Sequence, residues 1–158
     1  AIHLMLQTLT SQTPPASGTP PPAVANAIGR EPGDPEVRAW WQEALQTRQH
    51  PGCAFLFDPS RFEQAYNEVP VQYLDGELMV YGIIDRLVLS DGRAYVIDYK
   101  KHRAASTATL GELAGNYREQ MRLYARGIAK LWPAMEVRPY LLFTACRELV
   151  AMDGPASA

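Results

Sequence analysis

The sequence has few cysteines, no long apolar run and little net charge, and each of these shortages argues against a class of protein. Its two cysteines, Cys53 and Cys146, lie far apart and neither belongs to a CxxC pair, which argues against a disulfide framework and against a cysteine-ligated zinc or iron–sulfur site. No run of about 18 apolar residues and no signal-peptide pattern occurs, so we expect a cytoplasmic protein without a membrane anchor. A net charge of −2 does not indicate a polyanionic partner overall, although a local basic patch can still bind one.

The composition is that of an ordinary globular protein, and 158 residues with 47% hydrophobic content are enough for one domain with a buried core. The chain begins at Ala1 without a methionine, which suggests a piece of a longer protein. Residues 1–10 have the pattern of the end of a helix. Residues 11–35 contain seven of the 13 prolines, which predicts a linker or a long loop. We expect residues 36–152 to form the main domain and residues 153–158 a disordered tail.

Two segments carry helix signals. Asp34 and Pro35 are typical of an N-cap followed by the first helical position, and they predict a helix over 35–49. Over 110–132, apolar residues recur at helical spacing, which predicts one long amphipathic helix that ends at Pro133.

Strand signals fill the rest of the chain, and two Asp-Gly pairs separate the first three strands. Asp-Gly between β-rich runs is a strong signal for a tight hairpin turn, so Asp75-Gly76 and Asp91-Gly92 predict an antiparallel three-stranded meander. The mixture of helices and strands predicts a mixed α/β fold in which helices flank the sheet. The predicted strands are 69–74, 78–90, 93–101, 137–145 and 147–152.

The two turns also predict which side chains share a face of the sheet. If Asp91-Gly92 is a two-residue turn, Asp85 lies directly opposite Asp98, with Cβ atoms about 4.5–5.5 Å apart. If Asp75-Gly76 is also a two-residue turn, Glu68 faces Ile83, and Lys100 faces Ile83 from the other side. We therefore expect three acids and a lysine to project from one face.

Such a cluster is unfavourable by itself, because like charges opposite each other destabilise a sheet and an unpaired buried carboxylate is costly. A divalent cation removes the conflict, and clustered carboxylates suit Mg²⁺ or Mn²⁺. The simpler alternative is that Lys100 only forms ion pairs with the two aspartates at the edge of a sheet. The convergence of several charges favours the metal site, whereas Asp75 and Asp91 are interpreted as turn residues.

At these positions the chain resembles a known family. GIID (82–85), DYK (98–100) and QxxxY (120–124) are similar, in order and spacing, to motifs of the PD-(D/E)XK nucleases, and in particular of the nuclease domain at the C-terminus of RecB/AddA-type helicase–nucleases. NEVPV (67–71) and HLMLQ (3–7) also fit that pattern. The resemblance implies a restriction-endonuclease-like core.

The resemblance covers most of 1–10 and 55–152, and it makes 1–10 the N-terminal helix of the nuclease core. It implies one or two Mg²⁺ or Mn²⁺ ions and no iron–sulfur cluster, because the four cysteines of the family's iron–sulfur members are missing. The implied metal ligands are Asp85, Asp98, the backbone carbonyl of Tyr99, and His3. In the implied reaction, Glu68 holds a water molecule of the metal and Lys100 orients or activates the attacking water.

The resemblance and the distribution of charge also suggest a path for DNA. The candidate DNA contacts are Gln120, Tyr124, Tyr117, Lys101, Arg118 and Arg122. Basic residues of this kind favour sequence-independent binding to phosphates. For Arg126 and Lys130 we favour a solvated charged helix face, and we interpret His50 and His102 as solvated loop residues.

The implied function is metal-dependent hydrolysis of DNA, more as an exonuclease than as an endonuclease, on single-stranded DNA delivered by a linked UvrD/RecB-like helicase in recombination or repair. No GxxxxGK[ST] motif occurs, so we expect the helicase motor elsewhere in a longer chain or on a partner protein. One alternative is a catalytically inactive nuclease-like module that binds DNA or docks a partner. Another is a site-specific endonuclease of restriction type, against which the lack of an evident base-reading element argues.

Overall fold

The computed structural model describes residues 1–11, 18–102 and 107–154. The chain forms two compact units, Ala1–Phe57 and Asp58–Ala158. Arg103, residues 12–17 of the predicted loop and most of the predicted tail lie outside the described residues. None of the described helices is both long and apolar enough to cross a bilayer.

The first unit is helical, and α1 packs against α3 in it. The buried side chains of α1 recur at helical spacing. Helix α3 begins as predicted, because the Asp34 carboxylate accepts a hydrogen bond from the backbone N–H of Glu36. The helices of this unit are α1 (Ile2–Ser11), α2 (Pro22–Ala27), α3 (Pro35–Gln49) and α4 (Ala54–Phe57), with a 3-10 turn over Pro51–Cys53.

The short helix α2 lies in the segment that was predicted to be a linker or a long loop, and the sequence did not predict this helix. Pro22 stands at the first helical position, where a proline is tolerated because its missing N–H has no helical partner there. Val24 and Ala25 are buried, so α2 is fixed by packing that a proline count does not reveal.

The second unit contains a five-stranded mixed sheet with the strand order β1-β2-β3-β4-β5. The first three strands form an antiparallel meander, β4 runs parallel to β3, and β5 runs antiparallel to β4. The predicted mixed sheet with a three-stranded meander is therefore confirmed. The strands are β1 (Gln64–Asp75), β2 (Leu78–Ser90), β3 (Arg93–Lys100), β4 (Glu136–Phe143) and β5 (Glu148–Ala151).

Two helices, α5 (Thr107–Gly115) and α6 (Arg118–Leu131), connect β3 to the parallel strand β4. The sequence predicted one helix here, but the chain tightens between them, where the N–H of Tyr117 bonds to the carbonyl of Ala114 three residues earlier. Helix α6 packs against the sheet, and its buried face joins the apolar core of this unit.

The second hairpin has the predicted register. Ser90 pairs with Arg93, and the turn residues Asp91 and Gly92 have φ values of 50° and 74°. Two consecutive positive φ values are what a type I′ turn requires, and Asp-Gly supplies them at low cost.

The first hairpin turns one residue later than predicted, because Asp75 pairs with Leu78. The turn therefore consists of Gly76 and Glu77. Gly76 has a φ of 65° and stands at the first central position, where a type II′ turn places its glycine.

This shift changes the pairing of β1 with β2. Pro70 faces Ile83, so the prediction that Glu68 faces Ile83 was wrong. Glu68 instead lies at the same level of the sheet as Asp85. The two are not a regular pair, but the residues on either side of them are paired.

Candidate active site

Asp85 lies near the middle of β2, and its side chain reaches across to the C-terminal end of β3. Its Oδ2 accepts a 2.7 Å hydrogen bond from the backbone N–H of Tyr99. The structure therefore brings the carboxyl groups of Asp85 and Asp98 together, as the register of the second hairpin predicted.

The environment of Asp85 disfavours the ionised form of its carboxyl group. Burial raises the pKa of the Asp85 carboxyl from 3.8 to about 7, and the negative charge of Asp98 contributes further. The hydrogen bond from Tyr99 acts in the opposite direction. A positive charge placed here would relieve both the repulsion and the loss of solvation.

Lys100 supplies one positive charge. Its Nζ lies 2.7 Å from Oδ2 of Asp98, and the two side chains are 17% and 9% exposed. This short contact compensates the charge of one of the two neighbouring carboxylates. When both acids are ionised, the negative charge that remains suits a further cation.

The residues present fit a hydrated hard cation. Within the part of the chain that the structure describes, no three His, Cys, Asp or Glu side chains lie close enough to share a metal ion. The side-chain ligands available are therefore Asp85 and Asp98, with the backbone carbonyl of Tyr99 as a third oxygen. Mg²⁺ commonly binds through one or two carboxylates and keeps several waters, so this set suits Mg²⁺ or Mn²⁺.

Glu68 does not join the two aspartates in such a group. It lies on the edge strand β1, its side chain is exposed, and its φ of 52° is in the left-handed region. It lines a shallow pocket beside Trp132. Its role in holding a water molecule of the metal stays a prediction.

Gln120 and Tyr124 share one face of α6, as predicted. Gln120 Nε2 donates a 3.3 Å hydrogen bond to the Tyr124 hydroxyl. Burial and the charge of Asp98 raise the pKa of that hydroxyl. Tyr124 also packs onto Gly82 of β2, where a Cβ would lie 2.8 Å from the hydroxyl oxygen. The glycine of the GIID motif therefore allows α6 to approach the strand that carries Asp85.

Tyr117 and His102 lie beside Lys100. The Lys100 Nζ is 3.8 Å from the centroid of the Tyr117 ring, and His102 Nε2 is 3.0 Å from the Tyr117 hydroxyl. The His102 ring also packs against Phe143, with centroids 5.9 Å apart.

The interpretation of His102 as a solvated loop residue was therefore wrong. One signal was available in the sequence, since His102 follows Lys100 by two residues, and side chains at this spacing in an extended segment project to the same side. His50, also interpreted as solvated, accepts a hydrogen bond at Nδ1 from the N–H of Gly52 and caps the 3-10 turn.

The predicted phosphate contacts are accessible. Lys101 is exposed. Arg118 lies 3.9 Å from Asp153, and Arg122 lies 2.8 Å from Glu119. Ion pairs this exposed contribute little to stability, so both arginines can exchange an acid for a phosphate at small cost.

Two other cations of α6 have a structural contact with β1. Arg126 binds both carboxylate oxygens of Asp75, at 2.9 and 3.0 Å, and Lys130 lies 5.5 Å from the centroid of the Tyr73 ring. Arg126 is therefore not the solvated residue we favoured. Asp75 is the last residue of β1 and the partner of Arg126, and not a turn residue as interpreted.

His3 lies on α1, in the first unit, and is exposed. Its role as a metal ligand stays a prediction.

Short parts of two much longer bacterial proteins are similar to this chain. It is 30% identical over 115 residues to an ATP-dependent helicase/nuclease subunit from Limosilactobacillus fermentum, a match that covers 61% of this chain and 9% of that protein. Its identity to the protein of the same name from Streptococcus mutans is 28% over 97 residues, which is 58% of this chain and 8% of that protein. The matches thus span less than a tenth of these relatives.

Among solved structures, protein VC1899 from Vibrio cholerae overlaps 71% of this chain and 27% of its own, with 19% identity and a TM-score of 0.36, a similarity too weak to argue from. The profile of the PD-(D/E)XK nuclease superfamily matches residues 1–149, nearly the whole chain. The chain therefore belongs to the PD-(D/E)XK nuclease superfamily.

Proposed function

We propose that this chain is a metal-dependent DNA nuclease domain of a longer helicase–nuclease, and that it acts in the cytoplasm on single-stranded DNA during recombination or repair. The observation that carries the proposal is the meeting of Asp85, Asp98 and Lys100 at the end of β3, in a chain of a nuclease superfamily. The names of the relatives support a linked helicase, in the same chain or in a partner protein.

The proposed metal ligands are Asp85, Asp98 and the carbonyl of Tyr99, with His3 as a further ligand that only the family resemblance supports. A bound divalent cation would supply Lewis acidity, polarising a phosphoryl oxygen and lowering the pKa of a water. The feature that most favours a cation here is the close approach of the Asp85 and Asp98 carboxyl groups, whose repulsion and burial raise the pKa of Asp85.

The remaining chemistry belongs to side chains of the second unit. Lys100 orients the attacking water and contacts the phosphate, and Glu68 positions a further water. The water oxygen forms a bond to phosphorus and releases a proton to solvent as the bond from phosphorus to the 3′ oxygen breaks. The leaving 3′ oxygen takes up a proton from solvent, so the products are a 3′ hydroxyl and a 5′ phosphate.

DNA is proposed to lie along the start of α6 and the end of β3. Gln120 and Tyr124 line the cleft, Tyr117 stands beside them, and the phosphates contact basic side chains. None of the proposed contacts reads a base edge, so we propose sequence-independent binding that weakens as salt rises. Digestion from an end suits such a surface better than cutting at a fixed site. The proposed phosphate contacts are Lys101, Arg118 and Arg122.

The test is cleavage of labelled single-stranded DNA with Mg²⁺ or Mn²⁺, with and without EDTA. We expect cutting that needs the metal and falls at least about 100-fold in Asp98→Asn and in Lys100→Ala, since positioned acid–base and electrostatic groups contribute effects of this size. Asp91→Asn and Lys130→Ala are matched controls of the same residue types, and they should cut like wild type. Cutting that survives in Asp98→Asn would place the active site elsewhere.

One observation favours a second candidate function, an inactive module that only binds DNA. Just two acidic side chains converge at the site in the described part of the chain. DNA binding that is unaffected by metal, without any cutting, would support this alternative.

A further inference from the structure

The ammonium group of Lys100 is fixed by two contacts of different kinds. One is the carboxylate of Asp98 at 2.7 Å, and the other is the face of the Tyr117 ring at 3.8 Å. A lysine side chain is flexible along four carbons, so one ion pair alone would leave the position of Nζ poorly defined. A cation over an aromatic face is attracted more strongly when it is desolvated, and the Lys100 side chain is only 17% exposed.

Tyr117 is itself held in place from the opposite end of its side chain. It stands just before α6 with a non-helical backbone, at φ −106° and ψ 4°, where no helical turn fixes its ring. Its hydroxyl contacts His102 Nε2 at 3.0 Å, and the His102 ring packs on Phe143 of β4. The contacts therefore run from the core strand β4, through His102 and Tyr117, to Lys100.

We propose that Tyr117 and His102 are positioning residues for Lys100, and that the Tyr117 ring holds the ammonium beside Asp98 in the place where it meets the attacking water. This inference rests on the proposed nuclease function. It assigns Tyr117 a different role from the DNA contact that the family resemblance implies, because the face of its ring is occupied by Lys100. A ring in this position acts on the rate of the chemical step and not on the affinity for DNA.

The kinetic test compares Tyr117→Leu, which removes the ring, with Tyr117→Phe, which removes only the hydroxyl. We expect kcat to fall about 10-fold in Tyr117→Leu, the loss that a partly desolvated cation–π contact supports, with KM for single-stranded DNA unchanged. Tyr117→Phe keeps the ring and loses its anchor on His102, so it should lose kcat by less than Tyr117→Leu does. His102→Leu should resemble Tyr117→Phe, because both remove the hydroxyl–imidazole contact and keep the Tyr117 ring.

Tyr95→Leu is the matched control, since it removes another half-buried tyrosine ring, one that packs against Tyr140. It should leave kcat and KM unchanged. A rise in KM with kcat unchanged in Tyr117→Leu would overturn the inference, because it would show direct contact with DNA. Equal losses in Tyr117→Leu and Tyr117→Phe would also overturn it, because the ring would then contribute nothing.

A second measurement tests the placement of Lys100 without relying on activity. The chain has three lysines, Lys100, Lys101 and Lys130, so NMR of protein labelled at the lysine ε-carbons gives a spectrum simple enough to assign with Lys100→Ala. We expect the ε-methylene protons of Lys100 to be shifted upfield by the Tyr117 ring current, to keep that shift in Tyr117→Phe and to lose it in Tyr117→Leu.

The two measurements separate the possible failures. If the wild-type domain cuts no DNA while the ring-current shift behaves as expected, the proposed function is wrong and the placement of Lys100 stands. If DNA is cut but the shift is absent from wild type, the inference is wrong and the proposed function stands.

Discussion

Each carboxylate of the site has its own partner, but one lysine cannot balance the negative charge of both. Asp85 accepts the N–H of Tyr99, and Asp98 lies beside Lys100. When both acids are ionised, they carry one more negative charge than the lysine balances. Ionisation of Asp85 at this half-buried site therefore lowers the stability of the folded state unless a cation binds.

The first prediction concerns the pH dependence of stability without metal. The pKa of Asp85 is raised from 3.8 to about 7 by burial and by Asp98, so the folded state holds more protons than the unfolded state between those pH values. In EDTA, we therefore expect the free energy of unfolding contributed by this residue to fall as pH rises from about 4 to about 7, and to change little above that. Thermal unfolding across this range measures it, at roughly 2–4 °C for each kcal/mol.

Asp85→Asn should unfold at a higher temperature than wild type at pH 8 in EDTA and should lose most of this pH dependence, since it cannot ionise. Asp91→Asn, in an exposed turn where asparagine tolerates the positive φ, is the control and should keep it. A pH dependence that is unchanged in Asp85→Asn would assign the effect to other groups.

At the scale of secondary-structure elements, the site depends on how closely α6 approaches the sheet. Gly82 of β2 lies against the Tyr124 ring, and Gly127 of α6 lies against Tyr73 of β1. At each glycine, the backbone of one element therefore contacts a tyrosine ring of the other. Tyr124 and Gln120 take their places over the site because no side chain at position 82 holds the helix away.

The second prediction is that Gly82→Ala destabilises the fold by about 1–3 kcal/mol, the usual cost of overpacking a filled core, and lowers nuclease activity. The added methyl group would lie within 3.0 Å of three Tyr124 atoms. Denaturant unfolding measures the stability change, and Gly111→Ala is the matched control, because Gly111 lies in α5 with open space around it. If Gly82→Ala is as stable as wild type, the close approach has no energetic importance. Tyr124→Leu should reduce the cost of Gly82→Ala when the two are combined.

The elements also show how far sequence reasoning reaches. The Asp91-Gly92 turn was predicted correctly because both of its residues need a positive φ and both suit one. Around Gly76 the sequence is compatible with two turns, which place the glycine at the first or at the second central position. The observed strand pairing places it at the first. The meeting of Asp85 with Asp98 depended only on the turn that was predicted correctly.

The surroundings of Lys100 could not be predicted in the same way. His102 and Tyr117 are 15 residues apart, and they meet because α6 packs on the sheet and the chain tightens just before it. Local pattern does not carry this information, since it depends on tertiary packing. For the same reason the pairing of Arg126 with Asp75, 51 residues away, was missed.

At the scale of the whole molecule, three proposed metal ligands lie in the second unit and come from strands joined by one tight turn. Their meeting is therefore local in sequence, because the register of one hairpin brings them together. A cation that binds only the folded state stabilises that state by mass action.

The third prediction is that Mg²⁺ or Mn²⁺ raises the thermal unfolding midpoint of the EDTA-treated protein at pH 8. At about 100 times the dissociation constant, the gain is about 2.7 kcal/mol, or roughly 5–10 °C. Asp98→Asn should lose most of this increase. Lys100→Ala should keep it or show a larger one, because the ammonium beside Asp98 competes with the metal for the same carboxylate.

This pair of variants distinguishes a metal ligand from a residue that acts only in the reaction. An increase that is equally lost in both variants would contradict the assigned roles. No increase in wild type at millimolar metal would mean that the site does not bind these ions in the absence of DNA.

Glu68 holds a backbone conformation that ordinarily costs a non-glycine residue about 1–2 kcal/mol, and it does so on an edge strand where its side chain has no place in the core. Glycine would relax that conformation and discard the carboxylate. A glycine at position 68 would therefore favour stability, and a glutamate favours the proposed chemistry. At this one position, stability and the proposed catalytic role call for different residues.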